Sequence, residues 1–395
     1  MASKLNHHFV PKYLFRLFSW GEDYIHLVLK ASSKVVFRAS IRHQCSRHKF
    51  YGTDEVEDYL AMLDGRHATA YRAVIRECWS DACSGFTDDE FYWLFEAIML
   101  QRARTPRAAE SLAHSSESLA LQSFREHVKA SPDDGMRDRI VEAIDKGQVT
   151  VTQPIIRPLL HSLVLGLRSV IGITDLNFAM LRNSTKAPFV FGDSPCVFYN
   201  RYLYDVPYIS GLGYQSPGMM IFMPLDQDTQ VMLYDSGTYE LASSRVMVDL
   251  TEASDVAQLN ALQVHSAKTA IYFADQGNAD YLVDMVNAHR PLFKESNNEF
   301  IRWPVGEIQI DDKPTEQEVL HMFESQLPLK VDLSFVTTKL MPRGENPRRA
   351  RSPELRRELM EIHDTYDEPV DGDIPPDQPG AGVQRADPPD DPSND

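Results

Sequence analysis

Apolar residues near the start of the chain alternate with other residues in the manner of a β-hairpin. Ile25, Leu27 and Leu29 follow this period of two, and the alternation resumes after a short polar turn. Because a half-buried strand presents every second side chain to the core, the pattern predicts two strands over residues 24–41. A basic connector, residues 42–49, follows them.

Apolar residues from about residue 53 to 172 instead recur every three or four positions, which predicts a run of amphipathic helices. Thr87 with Glu90 three residues later has the pattern of a capping box, which predicts a helix over residues 88–104. Pro106 either ends this helix or starts the next one, in whose first turn its missing N–H would cost nothing.

After residue 174 the apolar runs become short and are separated by Gly, Pro, Asn and Asp. The predicted strands are 177–181, 189–191, 196–199, 219–223, 230–234, 239–248, 269–273 and 330–336. Helical patterns return at residues 253–265 and 280–287. This order predicts an α+β fold, in which an N-terminal hairpin and a helical region precede a mostly antiparallel sheet with late helices.

We expect residues 1–340 to form one compact domain, with a helical part at about 53–172 and a sheet-rich part at about 174–340. The segment 341–395 has a different composition, with six arginines between 343 and 357 and then a stretch rich in acids and proline. Such a segment cannot bury enough apolar surface to offset its ordering entropy, so we predict a disordered tail. A solvated or short helical arginine segment and a protein partner for the tail both stay open.

The composition, 43% hydrophobic and 25% charged over 395 residues, is that of a soluble globular protein. Residues 361–395 carry a net charge of −10 of the chain's −17, which leaves −7 for the rest, so net charge alone excludes no partner. No run of about 18 apolar residues and no signal-peptide pattern stands out, so we expect no membrane span and a cytoplasmic location.

The segment at the N-terminus combines His7, His8, Pro11 and Lys12 with apolar neighbours. Histidine carries protons or binds metals near neutral pH, and lysine binds anions. Adjacent side chains of an extended segment point in different directions, so one of the two histidines would enter a shared pocket. A docking segment whose histidines hydrogen-bond to the backbone fits the pattern equally well.

Further candidate residues lie at element ends. Asp193 follows a buried strand in a Gly-Asp-Ser-Pro turn, a position that suits a catalytic acid, a metal ligand or an Asx turn. Cations near a helix end either suit the helix dipole or clamp an anion. The candidates for substrate binding are Lys12, Gln101, Arg102, Arg104 and Asn260.

The ordered set of these motifs resembles DUF4238, a bacterial family of uncharacterised proteins. The motifs that carry the resemblance are the segments 8–14, 49–51, 101–107, 192–197, 222–225 and 259–260. The chain departs from the family pattern with Gly192 and Ser194 beside Asp193, and with Met223 in the F-P-L element. The resemblance covers about residues 6–290; it implies a shared fold and a shared site, and it names no activity.

The first functional hypothesis is a nuclease or another phosphodiester hydrolase, of the kind found in defence or toxin systems. His7 or His8 would act as base or metal ligand, Asp193 would bind a divalent metal, and the cationic candidates would hold phosphate. The His-His-Phe-Val-Pro-Lys start is similar to that of some histidine–metal toxin nucleases. The chain lacks their downstream Asn/His partners on a following helix.

Two alternatives stay open. The same residues could bind an anionic ligand such as a nucleotide without catalysis, as in a sensor protein. They could also be structural, with the histidines fixing the N-terminus through Asp193. The chain has no Walker loop, Rossmann fingerprint, H-E-x-x-H or G-x-S-x-G motif, which disfavours those enzyme classes.

Overall fold

Thr87 and Thr105 each cap the start of a helix with their side chains. The computed structural model describes residues 6–80, 85–130, 134–206, 211–243, 246–294, 298–307, 309–310, 313–314, 319–339 and 350–367. The helices in these ranges are α1 (Lys12–Phe18), α2 (Asp54–Trp79), α3 (Asp88–Ala103), α4 (Pro106–Lys129), α5 (Asp134–Asp145), α6 (Ile156–Arg168), α7 (Ala253–Ser266), α8 (Ala279–His289) and α9 (Pro353–Asp367). The Thr87 hydroxyl accepts a hydrogen bond from the Glu90 N–H, and the Glu90 carboxylate accepts one from the Thr87 N–H, which confirms the capping box.

Two larger sheets hold most of the strands. The strands are β1 (Asn6–His8), β2 (Tyr24–Leu29), β3 (Val35–Ser40), β4 (Ser46–His48), β5 (Asn177–Asn183), β6 (Phe191–Gly192), β7 (Val197–Tyr199), β8 (Met220–Pro224), β9 (Thr229–Tyr234), β10 (Tyr239–Leu241), β11 (Met247–Leu250), β12 (Ala270–Phe273), β13 (Asn298–Trp303), β14 (Gln309–Ile310), β15 (Lys313–Pro314), β16 (Val319–Glu324) and β17 (Val336–Thr338). One sheet has the order β11-β5-β9-β8-β7 and the other β3-β2-β12-β6. Their pairings are antiparallel except β11 with β5, so the predicted α+β class with mostly antiparallel sheets is confirmed.

The sequence expectations fail at several strands. The basic connector is partly a strand, since β4 pairs with β1, but three-residue strands are too short to show an alternating pattern. The predicted strand 330–336 is wrong over most of its length, because only β17 pairs there, with β10. The pairing of β13 with β16 was not predicted.

The N-terminal segment is packed into the core. Phe15 of α1 makes edge contacts with Phe191 and Tyr272 of the four-stranded sheet, at centroid distances of 5.1 and 5.0 Å. Leu14, Phe15 and Phe18 have no exposed surface. Since aromatic burial is among the largest contributions to core stability, α1 is an integral part of this fold.

The predicted tail is ordered over part of its length. Arg351 forms an ion pair with Asp175 at 2.9 Å and donates to the Ser216 carbonyl oxygen at 2.8 Å. A Cβ added at Gly172 would lie 3.2 Å from a methyl carbon of Leu359, so α9 packs closely here. The tail that is predicted to be disordered thus contains, within residues 350–367, the short helical segment that the sequence left open. Its remainder, 341–349 and 368–395, lies outside the described residues.

One helical stretch, Ile156–Ile173, is long and apolar enough to cross a membrane by length and composition alone. The expectation that no stretch is long and apolar enough for a membrane span is wrong for this one. Leu159 is fully buried, and a Cβ added at Gly166 would lie 2.5 Å from the Ala103 Cβ. Packing against α3 therefore accounts for apolar residues in this stretch without a membrane.

Candidate functional site

His7 lies inside the fold, on β1, with no exposed surface. Its Nδ1 accepts a hydrogen bond from the Tyr51 backbone N–H at 3.1 Å, so in the neutral ring the proton is on Nε2. That Nε2 lies 3.8 Å from a carboxylate oxygen of Asp54, and the ring stacks on Tyr51 with centroids 5.7 Å apart. These contacts fix the β1 segment against the start of α2.

His8 is also buried, and its Nε2 lies 3.1 Å from the Arg42 carbonyl oxygen. A carbonyl only accepts hydrogen bonds, so Nε2 carries the proton. Burial, reinforced by the nearby Lys12 cation, lowers the pKa of His8 to about 4. At pH 7 the ring is therefore neutral and engaged with the main chain, while the half-buried Lys12 lies beside it.

Gln101 and Arg104 meet the N-terminal segment, as the sequence suggested, but they bind its main chain. The Gln101 amide donates to the Phe9 carbonyl oxygen at 3.0 Å, and the Arg104 guanidinium donates to the His8 carbonyl oxygen at 2.8 Å. Arg104 also donates to Asp64 at 2.6 Å and to the Tyr51 hydroxyl at 3.2 Å. This network, which we call the Arg104 clamp, joins residues 8–9 to α2 and α3.

Asp193 accepts hydrogen bonds from the backbone of the segment between α7 and β12. Its two carboxylate oxygens accept hydrogen bonds from the Lys268 and Thr269 N–H groups, at 2.6 and 2.8 Å, and one of them also accepts the Thr269 hydroxyl. The residue is 4% exposed. The histidines are therefore not fixed through Asp193, because their partners are Tyr51 and Arg42.

Asn260 has a comparable structural position on α7. Its side-chain oxygen accepts from the Val190 N–H at 3.0 Å, and its amide donates to the Pro188 carbonyl oxygen at 2.8 Å. Gln263, which the sequence did not single out, lies one turn later. Its side-chain oxygen accepts from the Gly192 N–H, and its amide donates to the Pro195 carbonyl oxygen. Both residues tie the segment 188–195 to α7.

Arg102 points to a different place from the other candidates. Its guanidinium donates to the carboxylate of Glu324, at the end of β16, and lies 5.1 Å from the Phe198 ring centroid. Thus the eight candidates do not share one hydrogen-bonded constellation. Among the described residues no group of three or more His, Cys, Asp and Glu side chains is arranged to hold a metal ion. The divalent metal stays a prediction.

A cavity of about 690 Å³ lies between α4, the end of β2, the C-terminal end of α7 and the turn after α8. Five of the described residues that line it are cations and two are carboxylates, in a chain whose net charge is −17. The cations are Lys30, Arg107, Lys268, Arg290 and Lys294, and the carboxylates are Glu110 and Glu324. The sequence singled out only Arg107 of these, because the others come from distant segments without a shared motif.

Lys30 is the most buried of the cations, with 8% of its surface exposed. Its ammonium donates to the carbonyl oxygens of His265 and Ala267, at 3.1 and 2.6 Å, and lies 4.1 Å from the Phe293 ring centroid. Burial, with a smaller effect from Arg107, lowers the pKa of Lys30 to about 8. The ammonium is therefore charged at pH 7 and fixed at the C-terminal end of α7.

His265 closes this side of the cavity. Its Nε2 lies 3.1 Å from Nδ1 of His289, and burial together with that second ring lowers the pKa of His265 to about 4. The imidazole is thus neutral at pH 7, and the positive charge of the cavity comes from lysine and arginine.

The family model described as a protein of unknown function (DUF4238) matches residues 6–277 of the chain. This range includes the N-terminal segment, the Arg104 clamp and Asp193, together with Lys30, Arg107 and Lys268 of the cavity. No curated protein and no solved structure matches the chain.

Proposed function

The chain belongs to the DUF4238 family of proteins of unknown function, and we propose that it binds a small anionic ligand, such as a nucleotide, in the cavity beside Lys30. The observation that carries this proposal is the excess of cations around the cavity in an acidic chain. A concave site with convergent charges of one sign raises the local concentration of ligands of opposite charge.

The size and the chemistry of the cavity both suit such a ligand. Ligand pockets commonly measure about 300–1,000 Å³, and this cavity of about 690 Å³ falls within that range. Lys30 uses two of its three N–H donors on the carbonyl oxygens at the end of α7, which fixes its positive charge at the wall of the cavity. Phe293 adds an apolar surface beside these charges.

Lys30→Met is expected to weaken anion binding roughly 10- to 100-fold, because a hydrogen bond to a charged group contributes about 1.5–3 kcal/mol. Thermal shift and calorimetric titrations with inorganic phosphate, pyrophosphate and AMP measure this effect at pH 7. Lys146→Met, at an exposed lysine paired with Glu142, is the matched control. The proposal fails if none of these anions stabilises the wild-type protein saturably, or if the folded Lys30→Met variant binds them unchanged.

The nuclease hypothesis makes a different prediction. Since His8 and Asp193 are buried and bonded to the main chain, we expect the protein to leave DNA and RNA intact in the presence of Mg²⁺ or Mn²⁺. Gel assays on single- and double-stranded substrates test this expectation. Cleavage that is lost in His8→Ala and Asp193→Ala, and kept in a control variant of the exposed His48, would support the nuclease hypothesis over anion binding.

A further inference from the structure

The carboxylate of Glu324 lies against two guanidinium groups at the wall of the cavity. Arg102 donates a hydrogen bond to its carboxylate, and Nη2 of Arg107 lies 3.7 Å from the other carboxylate oxygen. Arg102 comes from the last turn of α3 and Arg107 from the first turn of α4, so the short connection between these helices brings the two cations together.

The chain directly after Glu324 is fixed to a neighbouring segment. Two residues later, Gln326 exchanges two hydrogen bonds with the main chain of Asn200, both at 2.8 Å. The side chain of Glu324 keeps 25% of its surface exposed and lines the cavity, as Arg107 does. A ligand in the cavity therefore reaches the Glu324–Arg107 contact directly.

The charges of this trio depend on one another. Burial by itself would raise the pKa of Glu324, but the guanidinium groups of Arg102 and Arg107 hold it below its ordinary value, so the carboxylate is ionised at neutral pH. Two neighbouring guanidinium groups repel one another, and an anion between them offsets this repulsion. Glu324 supplies that anion in this structure.

We propose that Glu324 is an internal competitor of the ligand in the cavity, because an anion that pairs with Arg107 has to displace the Glu324 carboxylate from it. This inference rests on the proposed binding function. At equal distance a dianionic phosphoryl group gains about twice the Coulomb attraction of a single carboxylate, so it is the anion better able to offset the cost of this displacement.

The test compares inorganic phosphate with acetate as probes, in thermal shift titrations at constant ionic strength and pH 7.5. We expect the wild-type protein to prefer phosphate. We expect Glu324→Gln to bind both probes about tenfold more tightly, because neither anion then has to displace a carboxylate from Arg107. The gain for phosphate should be at least as large as that for acetate, since the charge that is removed repels a dianion more strongly. Glu110→Gln is the matched control, since it removes the other carboxylate of the cavity, which pairs with Lys268 alone.

An unchanged or weaker affinity in Glu324→Gln, with phosphate binding to the wild-type protein intact, overturns this inference and leaves the proposed function standing. An equal gain in Glu110→Gln also overturns it, because the effect would then be one of net charge alone. If neither the wild-type protein nor Glu324→Gln binds phosphate, the proposed function itself fails. Should Glu324→Gln not fold, Glu324→Asp withdraws the carboxylate by one methylene, and an unchanged phosphate affinity in it counts against the inference.

Discussion

Arg104→Met is expected to lower the free energy of unfolding by about 3–5 kcal/mol, the range for removing one partner of a buried ion pair. The Arg104 side chain is 3% exposed, and it donates hydrogen bonds to Asp64, to the Tyr51 hydroxyl and to the His8 carbonyl oxygen. Methionine fills a similar volume without any donor. The Asp64 carboxylate would then lose its cation and the Tyr51 hydroxyl its donor in a site that water reaches poorly, and each loss costs free energy. The His8 carbonyl oxygen keeps the hydrogen bond that the Tyr51 hydroxyl donates at 3.1 Å.

Urea unfolding followed by circular dichroism measures this change. Arg16→Met is the matched control: Arg16 also pairs with a single carboxylate, Asp23, but both side chains are at least half exposed. An exposed pair contributes about 0–1 kcal/mol, so the control should unfold almost as the wild-type protein does. A loss below about 1 kcal/mol in Arg104→Met would show that the Arg104 clamp does not hold the N-terminal segment.

Stability is expected to fall as the pH is lowered from about 6.5 to 4, and His8 should account for about 2–3 kcal/mol of the loss. The pKa of His8 is about 4 in the folded protein, against an ordinary value of 6.5. Between these values the unfolded chain binds more protons than the folded protein does, so the contribution is complete above pH 6.5 and is lost on acidification. His265, with a pKa of about 4, contributes with the same sign.

The His8→Gln variant isolates the His8 contribution, because glutamine keeps an N–H donor for the Arg42 carbonyl oxygen but does not titrate. Unfolding curves at pH 7 and pH 4 for this variant and the wild-type protein give the difference. His43→Gln, at an exposed histidine, is the control and should keep the full acid sensitivity. Equal acid sensitivity in His8→Gln and the wild-type protein would contradict the expectation.

Local sequence signals predicted the elements well where the chemistry is local. The capping box of Thr87 and Glu90 and the proline at the start of α4 mark helix starts that the structure reproduces. The meeting of the N-terminal segment with residues 101–104 was also anticipated. The sequence could not predict that these side chains bind the backbone. A histidine, an arginine or an aspartate that hydrogen-bonds to the backbone has the same sequence pattern as one that binds a substrate.

The cavity could not be predicted from the sequence. Lys30 and Arg290 lie 260 positions apart in the sequence, and neither belongs to a recognisable motif. Their meeting depends on the pairing of β2 with β12 and on the path of the chain after α8. Such long-range pairing leaves no local periodicity, so only the folded chain shows that these cations share one space.

The strand β17 and the residues before it have a practical meaning for work on related proteins. The matched family region ends at residue 277, yet Val331, Leu333 and Phe335 are buried in the same apolar cluster as Leu181 and Leu259. A gene fragment trimmed to the family boundary would therefore encode an incomplete folding unit. For recombinant production the fragment should extend to residue 367, where α9 ends.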